Sequence, residues 1–232
     1  MDEARAPGRR EQNKNAKLLR IREAAQQVFA EKGFEAATMQ EIARKARVAT
    51  GTLFLYAENK RDIVFLATMP LVEEAIARGR AEPDDLPFPE QCARLFRHHY
   101  RVHHANPAVA RVVLGELTFF TGRQAHRHAE LLNALRAELE RRVTLMRDRG
   151  SLRTDVEPRV VTQLIFYLFQ GEVRRWVSDG AKDVEAGLAA LARLIGLASQ
   201  GVAESAVVGR AGDASSPSQG ATRPASHGRT KL

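Results

Sequence analysis

Histidine and cysteine are the side chains of this sequence best suited to binding a transition metal, and the chain has seven histidines and one cysteine. His99 and His103 are four residues apart, so in a helix they lie on one face, a spacing that can hold a metal ion. A complete site needs about three or four ligands. The sequence does not identify the others, although it offers candidates: Cys92, His98, His104, His126 and His128. We therefore expect hydrogen-bonded core or pocket histidines and no metal. A small metal-binding protein or metalloenzyme built on the cluster His98–His104 is the alternative.

The arrangements that mark common enzyme classes are missing from the sequence. It has no paired carboxylates at a useful spacing, no nucleophile elbow and no glycine-rich loop that would hold a phosphate. We therefore expect that the protein is not an enzyme and that it needs no cofactor. A single cysteine cannot form an internal disulfide, which favours a reducing compartment.

The segment 50–56 carries side chains suited to hydrogen bonding with nucleic acid. As a helix it would be about 10 Å long, which fits a major groove about 12 Å wide. Leu53 and Phe54 are predicted to face the protein core. The side chains left on the outside are then Thr50, Thr52, Leu55 and Tyr56.

Each of these side chains suits a particular contact. Thr50 and Thr52 suit base edges and thymine methyl groups, and Gly51 would let the backbone approach closely. Tyr56 and Lys60 suit phosphate oxygens, which fix the register without reading the sequence. The alternative is that the threonines only cap or cover a surface helix, and the spacing does not decide between the two.

A second short helix is predicted just before this segment. Thr38 is followed three residues later by Glu41, which is the pattern of a capping box at a helix start. The chain then turns at Arg47 into the segment 50–56, and two short helices joined by a tight turn form a helix-turn-helix. Thr38 could also place its hydroxyl on a phosphate.

The rest of the chain also follows the helical period, because apolar residues recur at intervals of three and four without a strand pattern. We predict an all-α protein with helices over 14–32, 39–46, 50–56, 60–80, 89–105, 107–120, 123–149, 157–179 and 183–200. Half of the net charge of +8 lies in residues 1–60, which favours a polyanion as partner, although a solvated basic arm would look the same. The longest stretch without a charged residue, 160–171, has twelve residues, too few for a membrane span. We expect no membrane contact and a cytoplasmic location.

Residues 15–66 resemble the N-terminal domain of TetR-family transcriptional regulators. The resemblance rests on Thr-Met-Gln-Glu-Ile-Ala at 38–43, Val-Ala-Thr-Gly-Thr-Leu-Phe-Leu-Tyr at 48–56 and Asn-Lys at 59–60, with a weaker match at 150–158. It implies an all-helical homodimer whose third helix enters the major groove of a near-palindromic operator. It also implies a larger C-terminal domain that binds a small inducer.

With this resemblance, the predicted DNA-binding residues are Thr38, Gln40, Arg47, Thr50, Gly51, Thr52, Leu55, Tyr56 and Lys60. Three positions depart from the family pattern. Arg47 stands where the turn usually has glycine, Ala49 where the reading helix usually has a serine or threonine cap, and Ala57 where an aromatic residue often follows. Arg47 could compensate by meeting a phosphate.

A ligand pocket is predicted in the larger domain, because polar side chains share faces with aromatic ones and buried polar groups need partners. The predicted lining residues are Phe96, His99, Tyr100, His103, Phe119, Phe120, Phe166, Gln170 and Trp176. A plain packed core is the alternative for each aromatic residue. The segment 160–177 is apolar on more than one face, so with the last helix it is predicted to form a four-helix dimer interface.

These patterns predict a basic disordered arm over 1–13, a helix-turn-helix domain over 14–60 with its motif at about 38–57, a ligand-binding and dimerisation domain over 61–200, and a disordered tail over 201–232. The function they favour is a DNA-binding transcriptional regulator, a repressor released by a small-molecule inducer. Two alternatives remain: the metal-binding protein, and a helical interaction module whose basic arm only aids solubility.

Overall fold

The computed structural model describes residues 8–116, 120–153 and 155–200. This part of the chain is built of helices and has no strand, which confirms the all-α prediction. No helix in it is long and apolar enough to cross a membrane. The helices are α1 (Arg9–Ala36), α2 (Met39–Lys45), α3 (Thr50–Phe54), α4 (Lys60–Arg80), α5 (Phe88–Ala105), α6 (Pro107–Glu116), α7 (Ala125–Asp148), α8 (Pro158–Ser178) and α9 (Val184–Gln200).

The first helix begins earlier than predicted, and it is interrupted at Gly33, where its end was predicted. It starts at Arg9, so residues 9–13 of the predicted arm are helical, because extending a formed helix costs little once its packed part exists. Near the other end Gly33 has φ 76° and ψ 173°, a conformation that only glycine adopts readily, and the helical assignment continues beyond it. The division at residue 60 stays a prediction, and residues 1–7 and the predicted tail lie outside the described residues.

The larger domain is arranged around α5, which packs between α4 and α9, while α8 packs against α7 and α9. Phe96 of α5 and Phe169 of α8 stack with ring centroids 4.0 Å apart and planes 6° from parallel. Tyr100 lies beside Trp176 at 4.8 Å between ring centroids. Aromatic stacking therefore fills the space where α5 meets α8.

A fully buried arginine ties α7 to the end of α4. Arg142 donates to the carbonyl oxygens of Gly79, Glu82 and Pro83, each at 3.0 Å, and to Glu138 Oε1 at 3.0 Å. The guanidinium thus binds the end of α4 and the segment that follows it, and the Gly79 carbonyl also accepts from the Glu82 N–H at 3.3 Å.

The last two helices leave apolar side chains in solvent. On α8, Val161, Ile165 and Phe169 are buried in the core, as the two-faced pattern predicts. The exposed apolar residues of α8 and α9 are Val160, Leu164, Tyr167, Leu194 and Leu197, and we call them the α8–α9 patch.

Replacing Arg142 with methionine is expected to lower the free energy of unfolding by about 3–5 kcal/mol, because the buried Glu138 would lose one of its two arginine partners and the carbonyls of Glu82 and Pro83 would lose the guanidinium donor. Arg141→Met is the control, since Arg141 is 44% exposed and its ion pairs contribute about 1 kcal/mol or less. Denaturant unfolding of both variants measures the difference. Equal losses would contradict the role given to Arg142.

Candidate nucleic-acid interface and ligand cavity

The capping box predicted at Thr38 is present and fixes the start of α2. The Thr38 hydroxyl accepts a hydrogen bond from the Glu41 backbone N–H at 3.2 Å, and the Glu41 carboxylate accepts one from the Thr38 N–H at 3.2 Å. Lys32 of α1 pairs with the same carboxylate. The orientation of α2 relative to α1 is thereby fixed by side chains as well as by the buried residues Ile42 and Ala43.

The reading helix α3 is anchored by Leu53 and by Ala57 just beyond it, both fully buried. The prediction that Phe54 also faces the core is wrong, since its side chain is 45% exposed. Consecutive residues of a helix point about 100° apart, so a five-residue helix cannot direct both Leu53 and Phe54 inward. Phe54 joins Leu55, which is 72% exposed, on the outer surface.

The predicted DNA-binding residues divide by exposure. Thr38, Gln40, Arg47, Gly51 and Leu55 are exposed, and Thr50, Thr52, Tyr56 and Lys60 are half-buried. All of them can be reached from solvent on this domain. Their contact with DNA stays a prediction.

Arg47 adopts the left-handed conformation that the turn requires, with φ 54°. Its N–H bonds to the Arg44 carbonyl at 3.1 Å, and the Val48 N–H bonds to the Ala43 carbonyl at 3.0 Å. These two bonds form a Schellman motif, in which the left-handed position strongly favours glycine. Ala49 begins α3 without a side-chain cap, so the turn and the helix start both lack their usual stabilising residue.

Lys60 has partners within the protein. Its ammonium group donates to the Glu35 carbonyl at 2.8 Å and lies 4.5 Å from the centroid of the Phe34 ring. This contact stabilises the end of α1, so a phosphate would have to share the ammonium group with the protein.

A basic groove runs from α1 to the reading helix. Lys14, Lys17 and Arg22 of α1 line the same groove as Thr52, Leu55 and Tyr56. The lysines therefore lie where a DNA backbone would pass if α3 entered the major groove. The sequence places half of its net charge in residues 1–60, and the fold brings the part carried by Lys14 and Lys17 beside α3.

The DNA-binding domain contacts the rest of the chain at a proline in α4. Pro70 has no N–H, so it cannot bond to the carbonyl of Leu66 one turn earlier. Arg22 Nε of α1 donates to that carbonyl at 3.2 Å, and Gln26 Nε2 donates to the Ala67 carbonyl at 2.8 Å. We call these two bonds the α1–α4 contact.

A second contact joins the loop 120–124 to the end of the reading helix. The fully buried Asp62 accepts hydrogen bonds from the backbone N–H groups of Glu58 at 3.1 Å and Gln124 at 3.2 Å. Arg123 and Gln124 also donate to the carbonyls of Leu55 and Tyr56, at 3.4 Å each. Sequence analysis missed Asp62, because its partner Gln124 is 62 residues away.

A cavity of about 220 Å³ lies beside the α1–α4 contact. Its walls are mostly apolar and come from four helices: Gln26, Phe29 and Ala30 of α1, Ala67, Thr68, Leu71 and Val72 of α4, Val102, His103 and Ala105 of α5, Asn106, and Val109, Ala110 and Val113 of α6. Of the predicted pocket residues that the structure describes, His103 alone lines it. The cavity therefore touches both the DNA-binding domain and the larger domain.

Residues 21–67 match the family model described as "Bacterial regulatory proteins, tetR family". These residues therefore form a TetR-family domain. A relative is the fatty acid metabolism regulator protein of Bacillus subtilis (strain 168), which is 26% identical over 170 residues, covering 73% of this chain and 88% of the relative.

Solved structures of TetR-type regulators share the fold. The FadR regulator from Bacillus subtilis in complex with stearoyl-CoA is 25% identical, with a TM-score of 0.60, over 76% of this chain and 96% of that chain. FadR from Bacillus halodurans is 25% identical, with a TM-score of 0.59, over the same shares of the two chains. The Thermus thermophilus FadR in complex with lauroyl-CoA is 22% identical, with a TM-score of 0.60, over 86% of this chain and 100% of that chain.

Most of the side chains predicted to line a pocket in the larger domain pack against one another. Phe96, Tyr100, Phe166 and Trp176 are buried, and Phe120 stacks on Phe65 with centroids 3.8 Å apart. Helical spacing indicates which residues turn inward, and whether these rings also line a ligand pocket stays a prediction. Gln170 is half-buried, and Phe119 lies outside the described residues.

The histidines do not form a metal site in the described ranges. No group of three histidine, cysteine or acidic side chains that could hold a metal is found there. His98 bonds to Glu82 at 2.9 Å, and His104 to the Ala181 carbonyl at 2.7 Å, so the cluster His98–His104 points in several directions. The metal-binding alternative therefore has no support.

His99 and His103 are buried, and this burial lowers the pKa of His99 to about 3 and that of His103 to about 4. The positive charges that His98 and His103 would carry also oppose protonation of His99. Neither ring nitrogen of His99 has a hydrogen-bond partner among the described residues. Both histidines are thus neutral at physiological pH.

Arg47→Gly is expected to stabilise the fold by about 1 kcal/mol, because glycine adopts the left-handed conformation without steric cost. Loss of the charge should weaken operator binding. It should also reduce the slope of log affinity against log salt concentration by about one, because about one fewer counterion is released. Arg47→Lys is the control, since it keeps the charge and the strain. Thermal unfolding and binding at several salt concentrations measure both effects, and unchanged affinity of the glycine variant would remove the phosphate role.

Gly122→Ala is expected to disrupt the loop contact, because an added Cβ would lie 2.6 Å from Asp62 Oδ1 and 2.6 Å from the Phe120 ring. We expect weaker operator binding and a stability loss of about 1–3 kcal/mol from the lost hydrogen bonds of Asp62. Gly171→Ala is the control, since a Cβ there meets nothing within 4 Å. Wild-type DNA affinity in the Gly122 variant would show that the loop does not position the reading helix.

Acid should destabilise the protein through its buried histidines. Their folded pKa values are depressed, so as the pH falls below about 6.5 the unfolded chain takes up protons first and stability decreases, by about 1.4 kcal/mol per pH unit for each histidine. His128, whose pKa burial also lowers, acts in the same direction.

His99→Leu should raise the unfolding free energy at pH 7 and flatten its decline between pH 6.5 and 5, because the unpartnered ring nitrogens are removed. His126→Leu is the control, since that side chain is 89% exposed. Denaturant unfolding across this pH range is the measurement. If the unfolding free energy of the His99 variant fell with decreasing pH as steeply as that of the wild type, the role given to the buried His99 would be contradicted.

Proposed function

We propose that this chain is a homodimeric transcriptional repressor that binds a near-palindromic operator and is released by a small ligand carrying an acyl chain. The observation that carries the proposal is the helix-turn-helix of α2 and α3, which presents its outer face beside the lysines of α1. A helix of this size suits the major groove, and flanking cations suit the phosphates. We also propose that the protein is cytoplasmic and has no enzymatic activity.

The homodimer is supported by the α8–α9 patch. Its members are between 38% and 61% exposed, on two neighbouring helices. Two such helices from each protomer would bury the patch in a four-helix interface about a two-fold axis. The same symmetry would present two reading helices to two half-sites of one operator.

The ligand class is supported by the cavity and by a relative. The cavity walls are apolar, with His103, Asn106 and Gln26 as polar groups, a composition that suits an acyl chain. The Bacillus subtilis FadR structure, at 25% identity, holds stearoyl-CoA. We therefore propose an acyl-CoA as the inducer.

Release of DNA would follow from the position of the cavity. Gln26, Ala67 and Thr68 line it, and the first two form one bond of the α1–α4 contact. A ligand that presses these helices apart would turn α1 and the reading helix relative to the partner protomer. The ligand must bind this rearranged state more tightly, since equal affinity for both states would shift nothing.

Selection of bound DNA from a random pool with the purified protein tests the proposal. We expect a near-palindrome, affinity that falls steeply with salt, and dissociation when palmitoyl-CoA is added. Recovery of no preferred sequence would contradict the regulator. A preferred sequence whose binding is indifferent to acyl-CoA of every chain length would contradict only the ligand.

A further inference from the structure

An open groove lies next to the ligand cavity and shares a wall with it. Leu71, Val102 and Ala105 line both spaces. The groove has a volume of about 250 Å³ and is otherwise lined by Glu74, Ala75, Arg78, His98 and Arg101. A long molecule can therefore occupy both spaces by passing over three apolar side chains.

The two spaces differ in charge. Among the described residues, the cavity is lined by no ionised side chain, whereas the groove carries the guanidinium groups of Arg78 on α4 and Arg101 on α5. Arg78 pairs with Glu74 at 2.6 Å, but both side chains are more than half exposed, so the pair is weak and exchangeable. Arg101 is exposed and has no ion-pair partner within the described residues.

Glu82, another acidic residue near the groove, already has a hydrogen-bond partner. Glu82 bonds to His98, the other titratable side chain of the groove, at 2.9 Å. In the part of the chain that the structure describes, the groove wall therefore has one carboxylate, Glu74, against two guanidinium groups. We call this surface the arginine groove.

We propose that the arginine groove binds the phosphate groups of the ligand whose acyl chain fills the cavity. Guanidinium groups bind phosphate through paired N–H donors, and two of them beside an apolar cavity suit an amphipathic molecule with an anionic head. The inference rests on the proposed function and extends it by assigning the head group a site. It makes the protein selective for an acyl-CoA over the free fatty acid, which has no phosphate.

Calorimetric titration of the full chain with palmitoyl-CoA, palmitate and CoA tests this assignment. The tested protein carries Arg78→Ala together with Arg101→Ala, and the control is Arg94→Ala, a half-buried arginine of α5 that pairs with Glu90 outside the groove. We expect the double variant to bind palmitoyl-CoA at least tenfold more weakly and with less salt dependence. Its affinity for palmitate should stay within twofold of the wild type, and Arg94→Ala should match the wild type throughout.

Each contrary result points to a different error. Unchanged affinity of the double variant for palmitoyl-CoA would overturn the phosphate site while leaving the ligand class intact. An equal loss for palmitate and palmitoyl-CoA would also overturn it, because the arginines would then act on the chain or on the fold. A wild-type protein that binds no acyl-CoA would overturn the proposed ligand and this inference together. Unfolding curves verify that the variants are folded.

Discussion

The carbonyl of Leu66 has no helical partner because Pro70 follows it one turn later, and Arg22 of the first helix supplies the missing donor. A buried carbonyl without a donor costs about 1–3 kcal/mol, so this geometry holds the DNA-binding domain against α4. The adjacent bond from Gln26 to Ala67 extends the contact, and burial lowers the pKa of Arg22 at the same place. The position of the reading helix therefore depends on how α1 meets α4.

The ligand cavity and the loop 120–124 act on this arrangement from two sides. The cavity borders Gln26 and Ala67, whereas the loop contacts the end of the reading helix through Asp62. A molecule in the cavity need not reach the helix-turn-helix to affect it, because both contacts sit on α4. This explains how a domain with small net charge can govern a surface that binds a polyanion.

The sequence predicted the local features well and the tertiary ones poorly. The capping box of Thr38 and the inward Leu53 depend on near neighbours, and both are present. The predictions for Phe54 and for the start of α1 were wrong, because helical spacing alone does not fix which face a short helix buries or where a helix begins. The predicted pocket residues stay a prediction, because spacing does not tell whether inward rings contact each other or line a space. Arg142 and Arg22 bond to carbonyls 63 and 44 residues away, a relation that no sequence pattern reveals. Pro70 is visible in the sequence, but a proline shows only that a helical hydrogen bond is missing and not which side chain replaces the donor.

In the proposed mechanism, the ligand and the operator bind to different arrangements of α1 and α4. Thermodynamic linkage requires the effect to be reciprocal, so the most direct measurement is the affinity for palmitoyl-CoA with and without saturating operator DNA. We predict that the operator weakens ligand binding at least tenfold, by the same factor with which the ligand weakens operator binding. Equal ligand affinity in the free and DNA-bound protein would contradict the account.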